Sequence, residues 1–296
     1  MSWLGELAAL ASAFLWAMAA IGYGRIGRTI PPLGLNLAKG VVAIALIGLT
    51  LLLRRDGLPS FNGMGLGLLL LSGLLGIGLG DSFYFAALRY LGARRTLLLG
   101  TLSPPLTALI ALVFLQEVLP LAAWLGIGIT LAGVTWVIGE RTQPDREAPH
   151  HLLWGIGFAV LSALAQAIGA VLSRTAFTAT DFDPLWATLW RLLAGVAMLL
   201  LWGSGRGQLG NWVKGFNSSR TIGILCLAAF VGTYLGIWLQ QTALKHSDAG
   251  IAQTLSATSP LFILPISALA GEKVSLRALV GALVAVAGIA ILLSWG

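Results

Sequence analysis

Residues 86–107 read AALRYLGARRTLLLGTLSPPLT, and residues 242–263 read TALKHSDAGIAQTLSATSPLFI. Laid together at one offset, Ala87, Leu88, Arg89 and Tyr90 meet Ala243, Leu244, Lys245 and His246. Ala93 then meets Ala249, and Ser103-Pro104 meets Ser259-Pro260. The chain contains a repeat, and each copy carries a proline inside an apolar stretch.

The composition sets the environment. Of 296 residues, 57% are apolar and 10% charged, against roughly 25% charged in ordinary soluble domains. This is an integral membrane protein. A single cysteine, Cys226, excludes an intramolecular disulfide and a Cys-based metal cluster. His150, His151 and His246 fall at segment ends without zinc spacing, so no metal and no cofactor is expected. The net charge of +7 does not point to nucleic acid, because the bases sit in short loops beside apolar spans. Residues 1–24 lack a basic leader and are read as the first span, not a cleavable signal.

A membrane span needs about 20 apolar residues. Ten segments fit: 3–24, 32–53, 64–88, 95–115, 119–139, 152–173, 183–203, 221–244, 249–270 and 274–295. Their unbroken apolar runs predict helices, since barrel strands alternate. The polar link 141–151 divides the chain into halves, 1–140 and 152–296, with five spans each. Ser12-Ala13 parallels Ser162-Ala163, Pro32-Leu33 parallels Pro184-Leu185, and Lys39 parallels Arg191. Gly126 and Gly133 parallel Gly281 and Gly288 after a one-residue gap that also sets Glu117 on Glu272. Five is odd, so the second copy re-enters the membrane in the opposite sense. The expected fold is all-α, ten transmembrane helices in two inverted-topology five-helix repeats, with a site between them.

Charge also bears on orientation. Links after the odd-numbered spans hold Arg25, Arg28, Arg89, Arg94, Arg95, Arg141, Arg146, Arg206, Lys214, Arg220, Lys273 and Arg277. The opposite side holds Arg54, Arg55, Arg174 and Lys245. The positive-inside rule then puts both termini outside the cytoplasm.

Each half resembles the EamA-type domain of the drug/metabolite transporter superfamily. The likeness rests on Leu15-Trp16-Ala17, Phe83–Ala93, Ser103-Pro104, Glu117, Gly126 and Leu131–Val134. It is repeated in Gln241–Lys245, Ser259-Pro260, Glu272, Gly281 and Ala287–Ile289. The second half departs at Gln166, where the first has Trp16. The resemblance implies ten helices moving small metabolites across a bacterial inner membrane, with many members exporting amino acids and one subgroup aromatic ones. It also implies cytoplasmic termini, against the charge count.

Candidate site residues follow from polarity at membrane depth. Pro104, Pro105, Pro260 and Pro265 each remove a backbone donor and mark candidate hinges, because matched helix interruptions point to a transport site. Asp81 is the only acidic residue well inside an apolar stretch, a candidate for proton coupling or for binding a substrate amino group. Helical spacing sets Gly78, Tyr84 and Phe85 near it, and Tyr234, Trp238 and Gln241 in the second copy. Thr101 and Ser103 precede the first proline; Gln253 and Ser256 precede its counterpart. Trp16 and Gln166 complete the set. Hydroxyls, amides and rings with few charges suit a neutral or zwitterionic, partly apolar solute.

Lys39 and Arg191 lie about seven residues into equivalent spans, where long side chains snorkel to the surface; the alternatives are a substrate carboxylate or Asp81. Glu117 and Glu272 are read as hairpin caps or partners of nearby bases. The paired glycines predict that the fifth and tenth spans pack on other helices, each other among them. Trp3, Trp154, Trp202 and Trp295 read as interfacial anchors. No paired carboxylates or histidine cluster speak for an enzyme, and the unlike faces of the two halves do not suit a channel ring.

Overall fold

The computed structural model describes residues 3–27, 30–55, 57, 63–140, 149–269 and 275–294. Among them all regular structure is helical. The first half comprises α1 (Leu4–Ile26), α2 (Pro32–Arg54) and α3 (Gly63–Gly73). A π-helical turn, π1 (Leu74–Gly80), leads into α4 (Asp81–Gly100), α5 (Ser103–Phe114) and α6 (Leu121–Glu140). The second half comprises α7 (Pro149–Ala179), α8 (Pro184–Gly205), a short α9 (Leu209–Val213) and α10 (Ser219–Ala228). A second π turn, π2 (Ala229–Leu235), leads into α11 (Gly236–His246), α12 (Ala249–Ser256), α13 (Ser259–Leu269) and α14 (Leu276–Leu293). Nine stretches among the described residues are long and apolar enough to cross a membrane.

Local chemistry starts and stops these helices. Pro32 opens α2 and Pro184 opens α8, where the missing N–H costs no helical bond. The Asp183 carboxylate caps α8 by accepting from the Leu185 amide at 2.7 Å, and Ser275 Oγ accepts from the Ala278 amide at 3.1 Å. Arg55 closes α2 in the left-handed conformation, at φ 54°.

The prolines sit at helix breaks. Pro104 and Pro105 lie in the first turn of α5, after a break at Thr101–Leu102. Pro260 lies in the first turn of α13, after a break at Ala257–Thr258. The turn before each is interrupted, and the proline opens the next helix, as a residue without an N–H does best. Only Pro265 is inside a helix. The segment 249–270 is thus two helices, and neither alone is long enough to cross. The expected link at 89–94 is absent too. The backbone stays helical through Gly100, because Arg, Leu, Ala and Tyr there sustain a helix and the lone Gly92 does not stop it.

The halves interlock. α1 packs along α10, π2 and α11, while α7 packs along α3, π1 and α4, so each half lends its first helix to the third of the other. The largest core cluster, rich in alanine, draws on both halves: Ala9, Ala108, Ala123, Ala170, Leu244 and Leu255. The most extensive helix contact is between α6 and α14. A Cβ on Gly133 would strike the Ala285 nitrogen and lie 2.6 Å from the Gly281 oxygen, and one on Gly126 would lie 2.8 Å from Leu292 Cγ. The glycine spacing reads correctly: these two helices pack on each other. Leu52, Phe114, Leu201 and Leu283 cover the outer surface, as lipid-facing residues do. Trp3, Trp154 and Trp202 are exposed, fitting interfacial anchors, and Trp202 lies under the Arg206 guanidinium, 4.7 Å away. Trp295 lies outside the described residues.

Candidate functional site

The two π turns organise the centre. A π turn shifts the backbone register and leaves carbonyls free to accept from side chains. Four carbonyls in or next to these turns accept from the first helix of the opposite half. Ser12 Oγ donates to Gly236 O at 2.9 Å, and Ser162 Oγ to Gly80 O at 2.9 Å. Trp16 Nε1 donates to Gly232 O at 2.9 Å, and Gln166 Nε2 to Gly76 O at 3.1 Å. The disagreement between Trp16 and Gln166 is therefore one role filled twice: an N–H aimed at a π-turn carbonyl. Asn36 Nδ2 adds a bond to Ile77 O at 3.1 Å.

Asp81 follows directly on π1. Its Oδ2 accepts from Lys39 Nζ at 2.8 Å, and its Oδ1 from Gln166 Nε2 at 2.9 Å. The carboxylate is thus held by one residue of each half. Lys39 does not snorkel. It turns inward, 12% exposed, with its ammonium 5.5 Å from the centre of the Phe85 ring. A charge at this depth is expensive alone and tolerable when paired and hydrogen-bonded.

Arg191 does not snorkel either. At 4% exposure it is buried, and its Nε and Nη1 have no partner among the described residues. Its backbone presses on Gly73, so only a glycine fits beneath it, and its Nη2 lies 3.2 Å from where a Cβ on Gly76 would stand. One carboxylate against two cations leaves this centre with an excess positive charge.

The remaining candidates fall into separate groups. Tyr234 shares a hydroxyl contact with Thr50 at 2.8 Å and lies 6.1 Å from Trp238, ring centre to ring centre. Gln253 Oε1 accepts from Gln240 Nε2 at 3.0 Å. Gln241 is fully buried with neither amide atom paired. Ser103 and Ser256 carry buried hydroxyls without partners among the described residues. Tyr84 packs edge-on to Phe85, with ring centres 5.5 Å apart. Thr101 is turned back onto Leu98 O at 2.6 Å, finishing its helix. Gly78 faces Met198 instead of an open space. The structure thus unites Asp81, Gln166 and Phe85 with Lys39. Lys39, Arg191 and Asn36 are absent from the sequence-derived site. Lys39 and Asn36 stand one turn apart on α2, a signal that spacing alone could have supplied.

A second charged cluster ties loop to loop. Glu117 Oε1 accepts from Arg174 Nε at 2.6 Å, and its Oε2 from the Ala249 amide at 3.0 Å. Arg174 Nη1 donates to Leu244 O and Lys245 O, and Nη2 reaches Asp248 at 3.5 Å. Ser247 donates to Glu6 at 2.7 Å. Glu117 is thus a partner of a nearby base, as expected, and the link joins the halves. Burial, and then the neighbouring Glu117, push the Asp248 carboxyl above its ordinary range. Lys245, hydrogen-bonded to Asp181, holds that exposed carboxyl below its own. Glu272 lies outside the described residues. No group of three metal-ligating side chains occurs among the described residues.

Comparison with known proteins agrees with this architecture. No curated protein matches the chain. A solved crystal structure aligns over 97% of this chain and 94% of its own, with a TM-score of 0.79 and 20% identity, which shows a shared fold. The model of the EamA-like transporter family matches twice, over residues 3–139 and 153–294. With both halves covered, the chain belongs to the EamA-like transporter family, whose members carry small molecules through membranes.

Proposed function

We propose that the protein is a secondary transporter that exports amino acids, foremost those with aromatic or other apolar side chains, across a bacterial inner membrane. It works by alternating access, without a cofactor and without catalysis. Its units are 1–140 and 152–296, joined by 141–151, and α12 with α13 together make the ninth crossing, completing ten in two inverted five-helix repeats. The observation that carries this reading is the Lys39–Asp81–Gln166 cluster, an ion pair at membrane depth held by both halves. A substrate entering there meets charge from Lys39, Asp81 and Arg191, and rings from Phe85, Tyr84, Tyr234 and Trp238. Trp16, Gly78, Thr101, Ser103, Gln241, Gln253 and Ser256 stand around that path. The breaks before Pro104-Pro105 and Pro260, with Pro265 beyond, act as hinges, since a helix without continuous backbone bonds swings at its break.

Counterflow in proteoliposomes with a panel of labelled amino acids tests this reading. Exchange of aromatic amino acids is expected, and exchange of none of the panel overturns it. Asp81 also serves as the proton carrier in this scheme. Flux in Asp81→Asn with unchanged pH dependence removes that role. The charge count places both termini outside the cytoplasm. Labelling of Asp145→Cys in a Cys226→Ala background by an impermeant reagent in intact cells, expected to fail, checks it.

A further inference from the structure

We propose that Arg191 is the carboxylate receptor of the central site, so that an anionic oxygen group is what a ligand must carry to bind. This rests on the transport reading for its setting, but not for its evidence. Arg191 lies eight residues into α8, about 10 Å from its start. Its backbone is locked against Gly73, and its side chain is directed to π1, with Nη2 near Gly76.

Two facts point to an anionic ligand. First, Nε and Nη1 are enclosed and unpaired among the described residues, although guanidinium donors pair almost without fail when buried. Second, the one nearby carboxylate is already taken, with both Asp81 oxygens engaged by Lys39 and Gln166. The charge of Arg191 is therefore the uncompensated one. Gly76, having no side chain, admits the guanidinium against π1: a Cβ there would lie 3.2 Å from Arg191 Nη2, 3.7 Å from Gln166 Oε1 and 3.9 Å from Gly169 Cα. The planar guanidinium matches a carboxylate with two parallel hydrogen bonds, which a lysine would not do. The equivalent Lys39 has its counter-ion within its own half, which explains why only one of the two equivalent cations is free for a ligand.

The test uses the full-length protein in detergent and four probes: phenylalanine, N-acetylphenylalanine, phenylalanine amide and phenethylamine. Thermal midpoint and tryptophan fluorescence are followed against probe concentration. The two carboxylates should bind, and the amide and the amine should not. Arg191→Met should weaken carboxylate binding by roughly 10- to 100-fold, and Arg191→Lys should retain part of it. Without ligand, Arg191→Met should melt no lower than the wild type, because it removes an unpaired buried charge. A merely structural arginine predicts the reverse. Equal binding of amide and acid, no binding of either acid, or acid binding that survives Arg191→Met overturns the proposal. Arginine-dependent binding without counterflow would leave this inference standing and remove the transport reading. Counterflow of the amine alone would do the opposite.

Discussion

At the scale of single residues, the Lys39–Asp81 pair matters most, since both members are largely buried, at 12% and 19% exposure. Breaking such a pair strands a charge. Asp81→Asn should lower stability by about 3 kcal/mol, measured by thermal unfolding in detergent. The double variant Lys39→Met/Asp81→Leu should recover most of that loss, because an apolar pair of similar volume needs no counter-ion. A double variant no more stable than Asp81→Asn would show that the ion pair is not the source of the effect. Trp16→Phe keeps an aromatic ring but removes the donor to Gly232 O together with the rest of the five-membered ring. It should cost about 1 kcal/mol, again by thermal unfolding. Asp81 and Gln166 were legible as polar residues at depth. The partnership with Lys39 stood only as the lesser alternative, because a lysine seven residues inside a span reaches outward as readily as inward. Only the position of the neighbouring helix decides the direction.

At the scale of elements, the glycine spacing of α6 and α14 was readable because a close helix contact needs small residues on one face, and that need is local. Its energetic consequence differs from glycine to glycine. A Cβ at Gly133 would meet the backbone of Ala285 and Gly281, whereas one at Gly128 on the same helix meets nothing within 4 Å. Gly133→Val should therefore destabilise by about 2–3 kcal/mol. Gly128→Ala should stabilise by about 0.5–1 kcal/mol by removing backbone freedom from the unfolded chain. Melting curves of the two variants should move in opposite directions from the wild type. The π turns were not legible. Glycine marks Leu74–Gly80, but Ala229–Leu235 holds one glycine, and nothing in their hydropathy separates an i+5 from an i+4 bond.

At the scale of the whole molecule, the Arg174–Glu117–Asp248 link joins the α5–α6 hairpin to α7 and to the start of α12. The first-half counterpart of Arg174 is Gly24, which carries no guanidinium. The Asp248 carboxyl is raised above its ordinary range. The folded form therefore holds this proton more tightly than the unfolded form. Its protonation stabilises the linked arrangement fully below the ordinary Asp range of about 4, and that gain is lost as pH rises through the raised value. The thermal midpoint should accordingly carry a pH-dependent component in that window, and Asp248→Asn should remove it; an unchanged pH profile in the variant would refute the assignment. The repeat, the membrane environment, the helical class and the tight α6–α14 face were all present in the order of residues, because hydropathy and small-residue spacing act within a single helix. Which helix lends its side chains to which was decided only in three dimensions. The exchange of α1 and α7 between halves, the donors aimed at the π-turn carbonyls, and the inward turn of Lys39 and Arg191 all depend on neighbours more than 40 residues away in the chain or in the other repeat. A polar group in an apolar interior takes whatever partner the packing brings within hydrogen-bonding distance, and no pattern along the chain encodes that distance.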